Sequence, residues 1–212
     1  MENDRSILVR RAFLFGVPLL YLVLGLLHPN PDPGLGDETS LFIGLHIAQL
    51  FLIGGLAYSL WLLVDGVDGR AARVARALIL PYVITYTTLD AIAGISMGTV
   101  ISKANALPAA DQAAAGRLID ALRVETWDGY LFYFATSLIW LAAVLAVAIA
   151  LRKRAAPRPA LVLMALGAAV FAVGHPQPTG PVGMALFVAG VAWLELRPRQ
   201  AKAPEAVSVQ PT

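Results

Sequence analysis

An all-α integral membrane protein is the fold class this sequence predicts, and three observations predict it. Hydrophobic residues make up 58% of the 212-residue chain and charged ones only 14%, against roughly 25% charged in an ordinary soluble domain. The apolar residues gather into runs near the length a helix needs to cross a bilayer. The basic residues fall between those runs, so the excess positive charge forms no continuous patch of the kind that tracks nucleic acid. The absence of cysteine excludes disulfides, thiolate metal ligands and a catalytic thiol.

The first helix is the uncharged run Ala12–Leu27, preceded by Arg5, Arg10 and Arg11. It resembles a signal peptide in outline. The run ends at His28-Pro29-Asn30-Pro31, which lacks the small-residue cleavage pattern, so it reads as an uncleaved span with snorkelling arginines. Asp32–Ser40 is rich in proline and glycine and reads as a loop, with Thr39 or Ser40 as the cap of the next helix. Leu41–Val64 is the second span, carrying His46 and Gln49 near its start and closing at Asp65-Gly66.

The third span lies in the stretch Ala77–Ser102, uncharged except for Asp90. A carboxylate within a span is costly and by default marks a functional site facing protein or a water-filled cavity. Steps of four through Tyr82, Tyr86, Asp90, Gly94 and Gly98 place two hydroxyls, one acid and two positions of close backbone approach on a single stripe.

Between Lys103 and Asp128 the chain turns polar, with Leu118, Ile119 and Leu122 set against Arg117, Asp120 and Arg123. This pattern predicts an external amphipathic helix on the membrane surface. Gly129–Leu151 is the fourth span, entered through the interfacial aromatics Trp127, Tyr130 and Tyr133. The runs Ala160–Gly174 and Pro181–Leu194 are short for spans and read as a tight hairpin turning at 175–180, with a re-entrant pair as the alternative. The expected architecture is therefore six transmembrane helices, the last two short, in one polytopic domain over 1–199. A disordered cytoplasmic tail is expected over 200–212.

Placing the N-terminus in the cytoplasm puts 13 of the 16 Lys and Arg residues on that side, as the positive-inside rule requires of a cell (inner) membrane protein with both termini cytoplasmic. In this arrangement His28, His46 and His175 all approach the outer face. At 1.5 Å per residue, His46 lies roughly 8 Å and Asp90 roughly 12–17 Å below the outer ends of their helices. The arrangement implies an outward-opening polar pocket, with Asp90, His46, Gln49, Tyr86 and Tyr82 as ligand-binding candidates and Glu125 and Asp128 at its rim.

Three function classes fit such a pocket. The first is a binding or transport protein for a small molecule or ion, or an accessory subunit of other membrane proteins, in which Asp90 is the natural titrating or charge-bearing group. The runner-up is a metal-dependent intramembrane enzyme of hydrolytic type, a divalent ion being held by His28, His46, His175 and Asp90. No two histidines have the i, i+4 spacing of a ready-made helical pair, which counts against it. Third comes a haem-binding redox subunit with two axial histidines. The sequence contains no phosphate loop, nucleophile elbow or dinucleotide fingerprint, and its halves show no inverted repeat of the transporter kind. Each candidate also has a structural reading: Asp90 as a neutral acid hydrogen-bonded by Tyr86 or Gln49, His28 and His175 as helix-end residues before proline, and Gly94 and Gly98 as packing positions.

Overall fold

The computed structural model describes residues 4–29, 38–125, 127–174 and 178–197, with only the backbone described for 4–5, 122–125 and 127–132. The expected tail and residues 175–177 of the hairpin turn, His175 among them, lie outside the described residues, as do the side chains of Glu125, Trp127, Asp128 and Tyr130.

Helix α1 (Asp4–Arg11), a π-helical turn (Ala12–Gly16) and α2 (Val17–Leu27) run on as one rod. Pro18 lies inside this continuous rod and has no N–H to offer the carbonyls of the preceding turn. The wide π turn leaves the Phe13 carbonyl accessible, and Ser59 donates to it at 2.8 Å, tying this rod to α3 (Thr39–Leu63). Helix α3 begins at Thr39 itself, with Glu38 in the cap position making no side-chain cap bond, so the cap position falls before the expected Thr39 or Ser40.

Helix α4 (Arg70–Leu89), a π-helical segment (Asp90–Ser96) and α5 (Met97–Asn105) also run on without a break. Pro81 interrupts the backbone ladder of α4, and Thr85 donates its hydroxyl to the Pro81 carbonyl at 2.9 Å one turn later. The amphipathic stretch begins later than its composition suggests. Lys103 still belongs to α5, and the turn before Pro108 separates it from α6 (Ala109–Glu125). There Gln112 donates to the Leu107 carbonyl at 2.9 Å, using an acceptor that the helix end leaves over. Ile119 packs toward Phe42 and Ile101 while Leu118 is exposed.

Helices α7 (Trp127–Arg152), α8 (Arg158–Val173) and α9 (Thr179–Leu196) complete the chain. The packing order is cyclic: α2 on α3, α3 on α4, α4 on α7, α7 on α8, α8 on α9, and α9 back on α2. Five helical stretches are long and apolar enough to cross a membrane: Ser6–Leu27, Thr39–Leu63, Arg70–Asn105, Tyr133–Arg152 and Thr179–Leu196. Helix α8, with 16 residues, falls short of that length. Apolar side chains such as Phe51, Leu80, Leu138 and Val162 cover the outside, as expected where hydrocarbon is the solvent.

Glycines set the contact between α8 and α9. A Cβ at Gly183 would sit 2.5 Å from the Phe171 nitrogen and 2.7 Å from the Gly167 carbonyl, and one at Gly190 would sit 2.7 Å from the Ala160 carbonyl. Helices α8 and α9 therefore meet backbone to backbone, as small-residue packing in membranes allows.

At one end of the ring, arginines close the exposed end of α3. Arg10 donates to the Leu62 carbonyl at 2.8 Å and pairs with Glu195 at 2.6 Å. Arg76 donates to Val64 and Val67 at 2.7 and 2.8 Å, and Arg154 reaches Gly66. Cations at a helix C-terminus satisfy carbonyls that lack intrahelical donors. His28 and His46 occupy the opposite end.

Candidate functional site

The Tyr82–Gly98 stripe is the buried face of the long α4–π–α5 rod, with Tyr82, Tyr86 and Asp90 each no more than 1% exposed. The π-helical segment starts at Asp90. A run of π turns widens the helix and shifts the phase of the residues after it, a distortion that often accompanies functional sites. Here it delivers Gly94 against α3, where a methyl group would overlap the His46 imidazole. Gly98, one turn on, leaves room for Ile43 and Phe42, 2.7 and 3.0 Å from where its Cβ would be.

Two polar groupings line this face. Nearer the helix ends, His28 and His46 point their Nε2 atoms at each other across 3.5 Å, with ring planes at 73°. Each ring is fixed through its other nitrogen: His28 Nδ1 lies 2.8 Å from the Pro29 carbonyl, and His46 Nδ1 lies 2.8 Å from the Phe42 carbonyl. A carbonyl oxygen can only accept, so both Nδ1 atoms carry the proton and both Nε2 atoms are lone-pair nitrogens in the neutral rings. Burial pushes His28 below the ordinary imidazole pKa, opposed by its bond to the Pro29 carbonyl. Phe42 packs against both rings, with centroids at 5.2 and 4.3 Å.

Deeper in the ring, Asp90 lies within electrostatic reach of Tyr21, Tyr82 and Tyr86. Both of its carboxylate oxygens are buried without a hydrogen-bond partner among the described residues, as are Gln49 Oε1 and the Tyr82 hydroxyl. The Tyr86 hydroxyl accepts a hydrogen bond from Tyr21. The hydroxyl expected to hold Asp90 as a structural acid is thus joined to a residue on α2. Tyr82, Trp140, Phe171 and Phe187 stack beyond it, with ring centroids 5.2–5.8 Å from Trp140. A small cavity beside them is lined by Tyr86, Thr136, Ser137, Trp140 and Phe171.

The structure thus brings His28 to His46, and Asp90 to Tyr82 and Tyr86. Asp90 and His46 are linked through the π-helical segment, with Gly94 as the point of contact. His175 lies outside the described residues, and among those described no group of three histidines or acids is placed to hold a metal. Sequence reasoning missed Tyr21, Phe42 and Trp140. For Tyr21 a signal exists: Pro18, Tyr21, Gly25 and His28 recur at helical spacing and form the buried face of α2. The oxygens of Asp90 and Gln49, without a partner among the described residues, make this face rich in acceptors, a chemistry suited to cations and hydrogen-bond donors. No family model, curated protein or solved structure matches the chain.

Proposed function

We propose that this protein binds a small cation or a small hydrogen-bond-donating molecule in the polar cluster around Asp90 and His46, within an inner-membrane, multi-pass bundle. Asp90 carries the reading. A buried acid kept for structure alone would have its oxygens satisfied, since an unpaired polar group in an apolar interior costs several kcal/mol on apolar-solvent scales. Both oxygens of Asp90 lack a partner among the described residues.

The topology that goes with this has both termini in the cytoplasm. Helix α8 serves as a short sixth span paired with α9, and α6 lies along the outer surface. The histidine end of the ring then faces outward, which suits a protein that captures its ligand from outside or serves as a binding subunit for other membrane proteins. A metal-dependent activity using His28, His46, His175 and Asp90 is the second reading, favoured by the facing imidazoles.

The test is a thermal-shift screen of the protein in lipid nanodiscs against monovalent cations, divalent cations and small amines. A ligand at about 100 times its Kd stabilises the folded state by about 2.7 kcal/mol. At least one class should raise the Tm of the native protein and leave Asp90→Asn unmoved. The same response from both proteins would remove Asp90 from the site and end the reading.

A further inference from the structure

The arginine end of the ring holds a second feature, at the far end from the histidines. Helix α1 begins there and α9 ends there, and an open cleft of about 420 Å3 lies between them. Ile7, Arg10 and Arg11 line it from α1, and Leu194, Glu195, Leu196 and Arg197 from the end of α9. Pockets that hold small ligands run to roughly 300–1,000 Å3.

Three guanidinium groups and one carboxylate face this cleft. Arg10 is already committed, to Glu195 at 2.6 Å and to the Leu62 carbonyl at 2.8 Å. Arg11 and Arg197 are exposed and make no hydrogen bond or ion pair among the described residues. Two free guanidinium groups on one cleft call for an anion with several acceptor oxygens, and phosphate matches their forked donors.

The remaining lining distinguishes a lipid phosphate from a free one. Ile7, Leu194 and Leu196 share the cleft with the arginines, and the exposed apolar side chains of Leu8 and Val9 continue beside it. Trp61 and Trp193, both exposed near this end, mark the headgroup depth at which tryptophan gathers in membrane proteins. A soluble anion gains nothing from the apolar wall, whereas a phospholipid can lay its glycerol and first acyl carbons along it. In the topology proposed above, this end meets the cytoplasmic leaflet, whose surface is negative because of its anionic lipids.

We propose that the cleft between α1 and the end of α9 binds the phosphate headgroup of an anionic phospholipid through Arg11 and Arg197, beside the Arg10–Glu195 pair that ties the two helices together. The bound lipid bridges the first helix and the last. This site is separate from the Asp90 cluster and needs only that the bundle sits in a membrane.

The experiment is native mass spectrometry of the full-length protein in neutral detergent, titrated with dioleoylphosphatidylglycerol, dioleoylphosphatidylcholine and inorganic phosphate. One phosphatidylglycerol should be held about 25-fold more tightly than phosphatidylcholine, because each basic residue near an anionic lipid is worth about a factor of 5. The double variant Arg11→Gln, Arg197→Gln should lose this preference, while Arg73→Gln, exposed on α4 and outside the cleft, should keep it. A photoreactive phosphatidylglycerol on the native protein, which needs no variant to fold, should label residues 7–11 and 194–197. Equal retention of the two lipids, or a preference that survives in the double variant, overturns the proposal. An equal loss in Arg73→Gln also does so, by showing diffuse surface attraction. Displacement of the lipid by inorganic phosphate makes this a free-anion site, and labelling confined to other segments places the lipid elsewhere; either result overturns the proposal.

Discussion

The imidazole of His46 occupies the space that a side chain at Gly94 would need. One residue supplies a lone pair and the other the clearance for it, so the substitution with the smallest change in volume tests the arrangement. Gly94→Ala should destabilise the protein by about 1–3 kcal/mol, the usual range for overpacking. It should also turn the imidazole away from His28. Differential scanning calorimetry and the NMR resonances of the His46 ring read the two effects separately, and an alanine variant with native Tm and unshifted ring resonances would contradict the close contact.

Tyr21 and Tyr86 share a hydrogen bond across α2 and α4. Tyr86→Phe leaves the Tyr21 hydroxyl buried without that acceptor and should cost about 1–2 kcal/mol. Replacing both by Phe should cost less than the sum of the single changes, because the second removes a group that the first stranded. A double-mutant cycle of unfolding in mild detergent measures the coupling. Strict additivity would mean that the two hydroxyls do not interact.

The α8–α9 contact predicts a steep penalty where the obstacle is backbone. Gly183→Ala places its methyl 2.5 Å from the Phe171 nitrogen and should lower stability by roughly 2 kcal/mol or more, since neither helix can yield by a side-chain rotation. Gly116→Ala, with nothing within 4 Å, is the control. It should be neutral or stabilising by up to about 1 kcal/mol, as expected when alanine replaces glycine in a helix. Equal losses at the two sites would remove the special status of the hairpin.

The proposed topology is open to direct labelling, because the chain contains no cysteine of its own. Single cysteines replacing Ala114 and Pro178 should react with an impermeant thiol reagent added outside intact cells. Those replacing Asp68 and Lys153 should react only after permeabilisation. Outside labelling at Asp68 would invert the bundle, whereas protection at Pro178 alone would make α8 and α9 a re-entrant pair.

The sequence by itself determined the solvent this chain is built for and the face on which its unusual groups lie. Apolar runs of spanning length suit the interior of a membrane, and a four-residue step through Tyr82, Tyr86, Asp90 and Gly94 stays on one side of a helix whatever surrounds it. The close approach at Gly94 was likewise legible as a kind of position, because only glycine admits a neighbouring ring so near the backbone. The tertiary structure alone decided which groups meet. Residues 65 apart join at Tyr21 and Tyr86, and residues 18 apart face each other at His28 and His46. No periodicity within one helix specifies the rotation of another. That rotation follows from where glycines let backbones close, from the phase shift that the π turns introduce at Asp90, and from the ring order that brings α9 back onto α2.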